Sequence, residues 1–245
     1  MKITVVKPKV TLLSATDGSS AMLRTAKSTR LTLTPELHAR HMHEQGTEEE
    51  ARDLDYIART IKSSWEFVNY HFLIENCSRS FTHQLVRTRT ASYAQQTQRT
   101  LNMAEGAEFK IVLPEGITPE ARDVITFSAQ QSINSYEQAV ACGAAPEAAR
   151  AVLPQCTATN ILVGCNLRTL AQWCADRGRN PRVQGEYRDI VHQMQSQALL
   201  WHPWAAEFLC PSEDMLREEL TALVQEGCPD KDTRTKIYKL IEVLR

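Results

Sequence analysis

Apolar and polar positions along this chain switch between two periods, one near two residues and one near three and a half. Lys2–Val6 and Val10–Leu13 alternate in the strand period and are separated by Pro8, which cannot donate to a ladder. Thr34-Pro35 supplies a cap followed by proline at the first helical position, so a short helix runs to His43 and stops at Gly46. Thr47-x-x-Glu50 forms a capping box, and Leu54, Ile57, Ala58 and Ile61 recur behind it at helical spacing. Phe67 to Ile74 is aromatic and branched and predicts a strand, followed by a helix over Ser80–Val86. Phe109–Leu113 is a short strand, Thr118-Pro119-Glu120 caps a long helix to Ala141, and Pro146 starts a short helix ending near Pro154. Thr159–Cys165 is strand-like and flows into a helix at Asn166. Asn180-Pro181 opens a helix of about twenty residues, and Asp230 opens the last, which runs to the C-terminus. Helices around a small sheet give an α+β class, with sheet order not readable. No repeat, low-complexity tract or Gly/Ser linker divides residues 1–245, which therefore read as a single domain.

Composition narrows the function classes. A hydrophobic fraction of 42% excludes a disordered or collagenous chain. Lys and Arg number 28 against 29 Asp and Glu, so any anion must meet a local cluster of positive charge, not a global field. No apolar run is long enough to span a membrane, and the N-terminus reads as strand, not signal peptide. Seven cysteines, scattered and without a CxxC pair, fit buried reduced thiols in a cytoplasm.

Asn76 to Ala104 is the local cluster. It holds Arg79, Arg87, Arg89 and Arg99 and not one Asp or Glu. Arg87 and Arg89 sit two apart at a helix end, where both guanidinium forks can reach one phosphate-bearing ligand. Gln84, Thr88, Thr90, Ser92, Gln95, Gln96, Thr97 and Gln98 add neutral donors and acceptors suited to ribose hydroxyls and a base edge. Composition alone leaves open a solvated basic face paired with acids elsewhere.

The spacing Arg87-Thr-Arg89-x-x-Ser92-x-Ala-x-x-Thr97-x-Arg99 resembles the signature of the flavin-dependent thymidylate synthases, RHRxxS-x-N/S-xx-S-x-R. Further matches follow in order: Arg150 before Val152-Leu153-Pro154, then Asn166-Leu167-Arg168-Thr169, then Arg177 eleven residues beyond Asn166, then Gln184-x-Glu186. The resemblance implies a small, twisted, mainly antiparallel sheet flanked by helices, and a homotetramer with active sites shared between subunits. It implies binding of FAD, reduction by NADPH, and transfer of carbon from methylenetetrahydrofolate to C5 of dUMP. Carried over, Ser63, Glu66, Arg87, Thr88, Arg89, Gln95, Asn166, Arg168 and Gln172 would hold FAD. Gln84, Gln95, Gln96, Thr97, Arg99, Arg150 and Arg177 would bind the pyrimidine nucleoside monophosphate, with Arg177 as the catalytic group.

That last role has its own chemical reason. Uracil C5 becomes nucleophilic only as negative charge develops on the ring edge, and a preorganised guanidinium stabilises that charge. The chain departs from the family pattern at Thr88 and Ala94, at Thr97, and at Ile61 and Phe67, where histidines are usual. Arg179 competes with Arg177 for the base. The departures admit a divergent dTMP synthase, a UMP methylase or deoxyuridylate hydroxymethylase of the same family, or a nucleotide binder without flavin chemistry.

Other features carry less chemistry. His38 and His41 have metal-capable spacing, but no Cys, Asp or Glu completes a set, so surface or interface histidines are expected. Trp201-His202-Pro203-Trp204 is expected to pack a helix end into the core. A nucleic-acid binder that stacks bases on Tyr93 is opposed by the balanced charge and the 7% aromatic content, so no nucleic acid and no membrane are expected as partners.

Overall fold

The computed structural model describes residues 1–106, 108–180, 182–210, 220 and 230–243. Four strands form an antiparallel sheet in the order β2 (Lys9–Ala15), β3 (Asn69–Ser78), β6 (Ala158–Asn166), β4 (Ser92–Gln95). A separate parallel pair joins β1 (Lys2–Val5) to β5 (Glu108–Ile111). The two-residue period decides which face is covered. Tyr70, Phe72 and Ile74 of β3 and Ile161 and Val163 of β6 are fully buried. Asn69, His71, Ser92, Ala94 and Leu162 face out.

Helices cover the inner face: α1 (Ser19–Lys27), α3 (Glu48–Ala58), α7 (Leu167–Trp173) and α8 (Gly185–Trp201) contribute Leu23, Leu54, Ile57, Leu170, Ile190, Val191 and Met194 to one core. A second cluster seals the parallel pair, where Phe109 and Ile111 pack on Ala129 and Ile133 of α5 (Pro119–Ala141). The α+β class, with an antiparallel sheet flanked by helices, is the one expected.

The caps behave as their sequence demands, with one variation. Thr34 accepts from Leu37 N at the head of α2 (Pro35–His43), and Thr118 does the same for Ala121 N in α5. Thr47 caps Glu50 N, but the Glu50 carboxylate reaches past Thr47 to Gly46 N at 2.6 Å. Helix α1 was not anticipated: it lacks a side-chain cap and follows Gly18, which holds φ 55. What holds it is tertiary. Arg24, 2% exposed, pairs with Glu44 at 2.7 Å and Asp53 at 2.6 Å, tying α1 to its neighbours.

Two other expectations shift. Helix α8 begins at Gly185, not at Asn180, whose side chain instead accepts from Arg182 N in a turn; Pro181 lies outside the described residues. Strand β3 starts at Asn69 because Lys62–Phe67 forms a 3-10 turn, and it extends to Ser78 through a bulge between Ile74 and Cys77. At that bulge Asn76 adopts φ 54 and donates its N–H to Asn160 Oδ1 at 2.9 Å. The bend delivers Ser78 as the cap of α4 (Arg79–Leu85), the helix that carries the basic segment.

The histidine expectations divide. His41 is buried, not a surface group: its Nδ1 lies 3.0 Å from Thr25 Oγ, as does that of His38. Its charged neighbours are Arg24, Arg40, Glu44 and Asp53. His202 packs the end of α8 as expected, bridging Ser19 Oγ at 2.9 Å and Tyr70 OH at 3.1 Å beside Trp204.

Burial lowers the pKa of both His41 and His202, with Arg24 adding to the effect at His41. Depressed folded values mean a contribution complete above the unfolded value of about 6.5 and lost as pH falls below it. The urea midpoint is therefore expected to fall between about pH 7 and pH 5, and a His202→Gln variant to show a shallower fall over that range.

Candidate active site

Helix α4 brings the first functional groups to the sheet edge. Arg79 opens it, half-buried, with its Nε buried and without a hydrogen-bond partner among the described residues. Burial lowers the Arg79 pKa, and the Arg150 guanidinium nearby lowers it further. Arg150 stands exposed on the 3-10 turn Arg150–Val152, its Nε donating to the Glu147 carbonyl at 3.2 Å. Two guanidinium groups repel each other here with no ion pair for either among the described residues, a local charge that an anion would complement. At the far end of α4, Gln84 donates Nε2 to Gln184 Oε1 at 2.6 Å.

The segment after α4 is an exposed turn locked from behind. The Thr88 hydroxyl accepts from the buried Trp173 indole at 3.1 Å, and the Tyr93 hydroxyl lies 2.9 Å from the Leu85 carbonyl and 2.8 Å from the Thr88 carbonyl. Thr90 and Thr169 hydroxyls meet at 3.0 Å. These ties leave Arg87 and Arg89 exposed on either side of Thr88, with no ion pair among the described residues. Beyond them Gln95 donates to Thr82 Oγ at 2.9 Å, the Gln96 N–H to the Asn160 carbonyl at 2.9 Å, and the Arg99 N–H to Thr97 Oγ at 3.1 Å.

Two hollows flank β4. One of 340 Å³ is lined by residues including His71, Thr90, Ser92, Gly164 and Asn166. Gly164 keeps it open, since a Cβ there would come within 3.2 Å of His71 Cδ2. The other, of 200 Å³, collects Gln96, Thr97, Asn76, Thr159 and Asn160. Next to the first, Asn166 caps α7 by accepting from Thr169 N at 2.9 Å. Arg168 of the same helix pairs with Glu66 at 2.5 Å, joining α7 to the 3-10 turn that carries Ser63. Gln172 is exposed on α7.

Helix α7 then widens into a π-turn, Cys174–Gly178, a feature frequent at functional positions. Its carbonyl end is held by His192 Nε2 at 2.9 Å from Gly178 O. Arg177 projects from this turn, exposed, with its guanidinium 5.3 Å from the centre of the Tyr187 ring. The fully buried Tyr187 hydroxyl faces Thr88 and Arg177 but completes no hydrogen bond of normal geometry. Burial raises the Tyr187 pKa and Arg177 pulls it back. Arg179, the rival for the base-binding role, is committed to the fold through the Leu209 carbonyl at 3.0 Å.

The structure thus gathers Thr88, Asn166, Arg168 and Glu66 around α7, and Gln84 and Arg79 on α4. Among the described residues no hydrogen bond or ion pair links Arg99 or Arg150 to Arg177. Sequence reading counted Arg79 in the basic cluster without a separate role, and missed Tyr187 and His71. Arg79, like Arg168, was visible as an arginine at a strand-to-helix junction; nothing in the sequence marked a tyrosine in an amphipathic helix or a histidine in a strand. The thiols are inert where buried: burial pushes Cys77 and Cys174 up to about 12, although Cys142 and Cys210 are exposed, against expectation, and Cys228 lies outside the described residues.

The family model described as "thymidylate synthase complementing protein" matches residues 11–204. The chain belongs to the flavin-dependent thymidylate synthase family. The flavin-dependent thymidylate synthase of Sulfolobus acidocaldarius is 30% identical over 250 residues, covering 97% of this chain and 95% of that protein. The Pyrococcus furiosus enzyme of the same name is 33% identical over 197 residues, 74% of this chain and 77% of that one. In fold, the crystal structure of a UMP/dUMP methylase, PolB, from Streptomyces cacaoi bound with 5-Br dUMP superposes with a TM-score of 0.68 at 21% identity, covering 85% of this chain and 96% of that one. Within this family the chain is a divergent member and a methyltransferase, and its signature arginines occupy the exposed turn that Trp173 and Tyr93 brace.

An unpartnered buried cation beside a second cation costs stability and gains it back when an anion binds. Arg79→Leu is therefore expected to raise the melting temperature in phosphate-free buffer. Inorganic phosphate at millimolar concentration is expected to raise the melting temperature of the wild type and to leave that of Arg79→Leu unchanged.

Proposed function

We propose that this enzyme methylates C5 of dUMP to give dTMP, with methylenetetrahydrofolate as carbon donor, NADPH as reductant and FAD as cofactor. The observation that carries the reading is the acid-free set of guanidinium groups: Arg79 and Arg150 together, and Arg87 and Arg89 exposed on a braced turn. A nucleoside monophosphate and a flavin adenine dinucleotide both bring phosphates that such groups complement.

The residues present fit FAD. The hollow kept open by Gly164 has neutral hydrogen-bonding walls in Thr90, Ser92 and Asn166, and Arg87 and Arg89 lie on the turn leading into it. FAD, when bound, supplies the hydride that takes the transferred carbon from methylene to methyl. Ser63, Glu66, Arg87, Thr88, Arg89, Gln95, Asn166, Arg168 and Gln172 would hold it, the Thr88 hydroxyl keeping its own proton to donate while it accepts from the Trp173 indole.

Arg79 and Arg150 take the nucleotide phosphate, and Gln84, Gln95, Gln96, Thr97 and Arg99 take its sugar and base. Arg177 stabilises the charge that develops on the pyrimidine ring as C5 attacks. Tyr187 beneath its guanidinium fixes the approach, so the charge is placed before the reaction and not recruited during it. The reading includes a homotetramer: the outward face of the sheet exposes Leu13 and Leu162, apolar groups that a second copy would cover. A cytoplasmic enzyme is consistent with the free thiols.

The purified protein is expected to show a flavin absorbance band that bleaches on adding NADPH without oxygen, and to form dTMP from dUMP. UMP assayed alongside sets the tolerance for the 2′-hydroxyl. Arg177→Ala is expected to lower turnover by about a hundred- to a thousandfold, the scale seen when a preorganised charge-stabilising group is removed, while the flavin stays bound. A colourless protein that takes up no added FAD would sink the reading.

A further inference from the structure

The first turn of α8 holds a hydrogen-bond chain that the assignment of site residues leaves unused. The Glu186 carboxylate, mostly buried, accepts from Ser78 N at 2.6 Å through Oε1 and from Ser78 Oγ at 2.5 Å through Oε2. The same Oε2 accepts from Gln184 Nε2 at 3.3 Å. Gln184 Oε1 in turn accepts from Gln84 Nε2 at 2.6 Å. Burial raises the Glu186 pKa and the two Ser78 donors pull it back. With three donors aimed at its two oxygens the group accepts throughout, as a carboxylate with no proton to give, so the direction of every bond in this chain follows from Glu186. Gln184 must turn its amide nitrogen toward the carboxylate and its oxygen toward Gln84. Gln84 must then turn its nitrogen inward, which leaves its carbonyl oxygen unengaged.

We propose that Glu186 and Gln184 are positioning residues that orient the Gln84 amide so that its carbonyl oxygen is presented to a hydrogen-bond donor of the nucleotide. The inference rests on the reading that Gln84 grips the substrate, and it specifies what kind of group Gln84 reads. The donor is an N–H or O–H, supplied by the pyrimidine N3–H or by a sugar hydroxyl. Ser78 anchors the chain because it also caps α4, accepting from Phe81 N at 3.0 Å. The carboxylate thereby registers α8 against the helix that carries Gln84.

The polarity argument makes an isosteric replacement informative. In Glu186→Gln the new amide must keep its oxygen toward the Ser78 N–H, so its nitrogen faces Ser78 Oγ and Gln184. Gln184 then flips to accept, its nitrogen turns toward Gln84, and Gln84 flips in turn. The substrate meets an N–H where it met a carbonyl. Moving the charge one place along restores the original sense: in the double variant Gln184→Glu/Glu186→Gln, the carboxylate at 184 accepts both from the amide at 186 and from Gln84 Nε2. A role confined to holding the fold predicts the opposite, that two changes harm more than one.

The test is calorimetric titration of dUMP into the flavin-loaded enzyme, with the melting temperature of each variant recorded. Glu186→Gln is expected to weaken dUMP binding about tenfold, the cost of leaving one ligand donor unpaired, and the double variant to recover most of that loss. The 3-methyl-dUMP and 3′-deoxy-dUMP analogues identify the donor, since the one lacking it binds wild type weakly and gains nothing from the double variant. Binding unchanged in Glu186→Gln, or a double variant weaker than the single, overturns the proposal. If Glu186→Gln does not fold, Gln184→Met poses the same question by cutting the chain, and unchanged binding there also overturns it. Gln84→Ala separates the two readings: dUMP affinity like wild type removes Gln84 from substrate recognition, and the proposal with it. Weakened binding in Gln84→Ala with unchanged binding in Glu186→Gln overturns the relay alone.

Discussion

Positive charge held next to positive charge, with no carboxylate among the described residues to neutralise it, is the constraint around which this structure is arranged. Arg79 is carried into the protein at the end of β3, its Nε loses water without finding an acceptor, and Arg150 approaches it from another part of the chain. Such a pair is tolerable only because the rest of the fold is rigid enough to impose it. The imposition can be traced residue by residue. The bulge at Asn76 bends β3, Ser78 caps α4, and Glu186 clamps that cap from α8. The same first turn of α8 supplies Tyr187 under Arg177, so one helix start registers both the α4 cap and the Arg177 side chain.

The departures from the family signature have a physical expression. Where a histidine is usual, Thr88 turns its hydroxyl to the buried Trp173 indole, which satisfies a donor that burial would otherwise strand. Threonine there serves as a tie between the signature turn and α7, and the two flanking arginines remain outward. In the proposed function the outward arginines are the part of the motif that meets phosphate, and the residue between them faces the protein, where Thr88 satisfies Trp173.

Much of this was legible in the sequence, and the remainder was not for identifiable reasons. Caps at Thr34, Thr47 and Thr118 marked three helices because a hydroxyl before a helix has one local use. The acid-free run from Asn76 to Ala104 marked the cluster of arginines because charge composition is readable without a fold. Helix α1 was hidden because it is stabilised by Arg24 reaching Glu44 and Asp53, contacts that no local pattern encodes. The start of α8 was misplaced because Asn180 offers a plausible cap yet caps a turn. The buried His41 was misjudged for a related reason: its partner Thr25 lies on the unanticipated helix. The signature arginines were found by spacing, whereas Gln184, Glu186 and Tyr187 acquire their roles only from the contacts of α8.

The most direct test of the central claim is a crystal structure of the protein with FAD and dUMP bound. The account predicts the nucleotide phosphate between Arg79 and Arg150, with Arg79 Nε donating to it, and the pyrimidine ring against Arg177. A nucleotide whose phosphate lies elsewhere, leaving Arg79 Nε still without an acceptor, would contradict it.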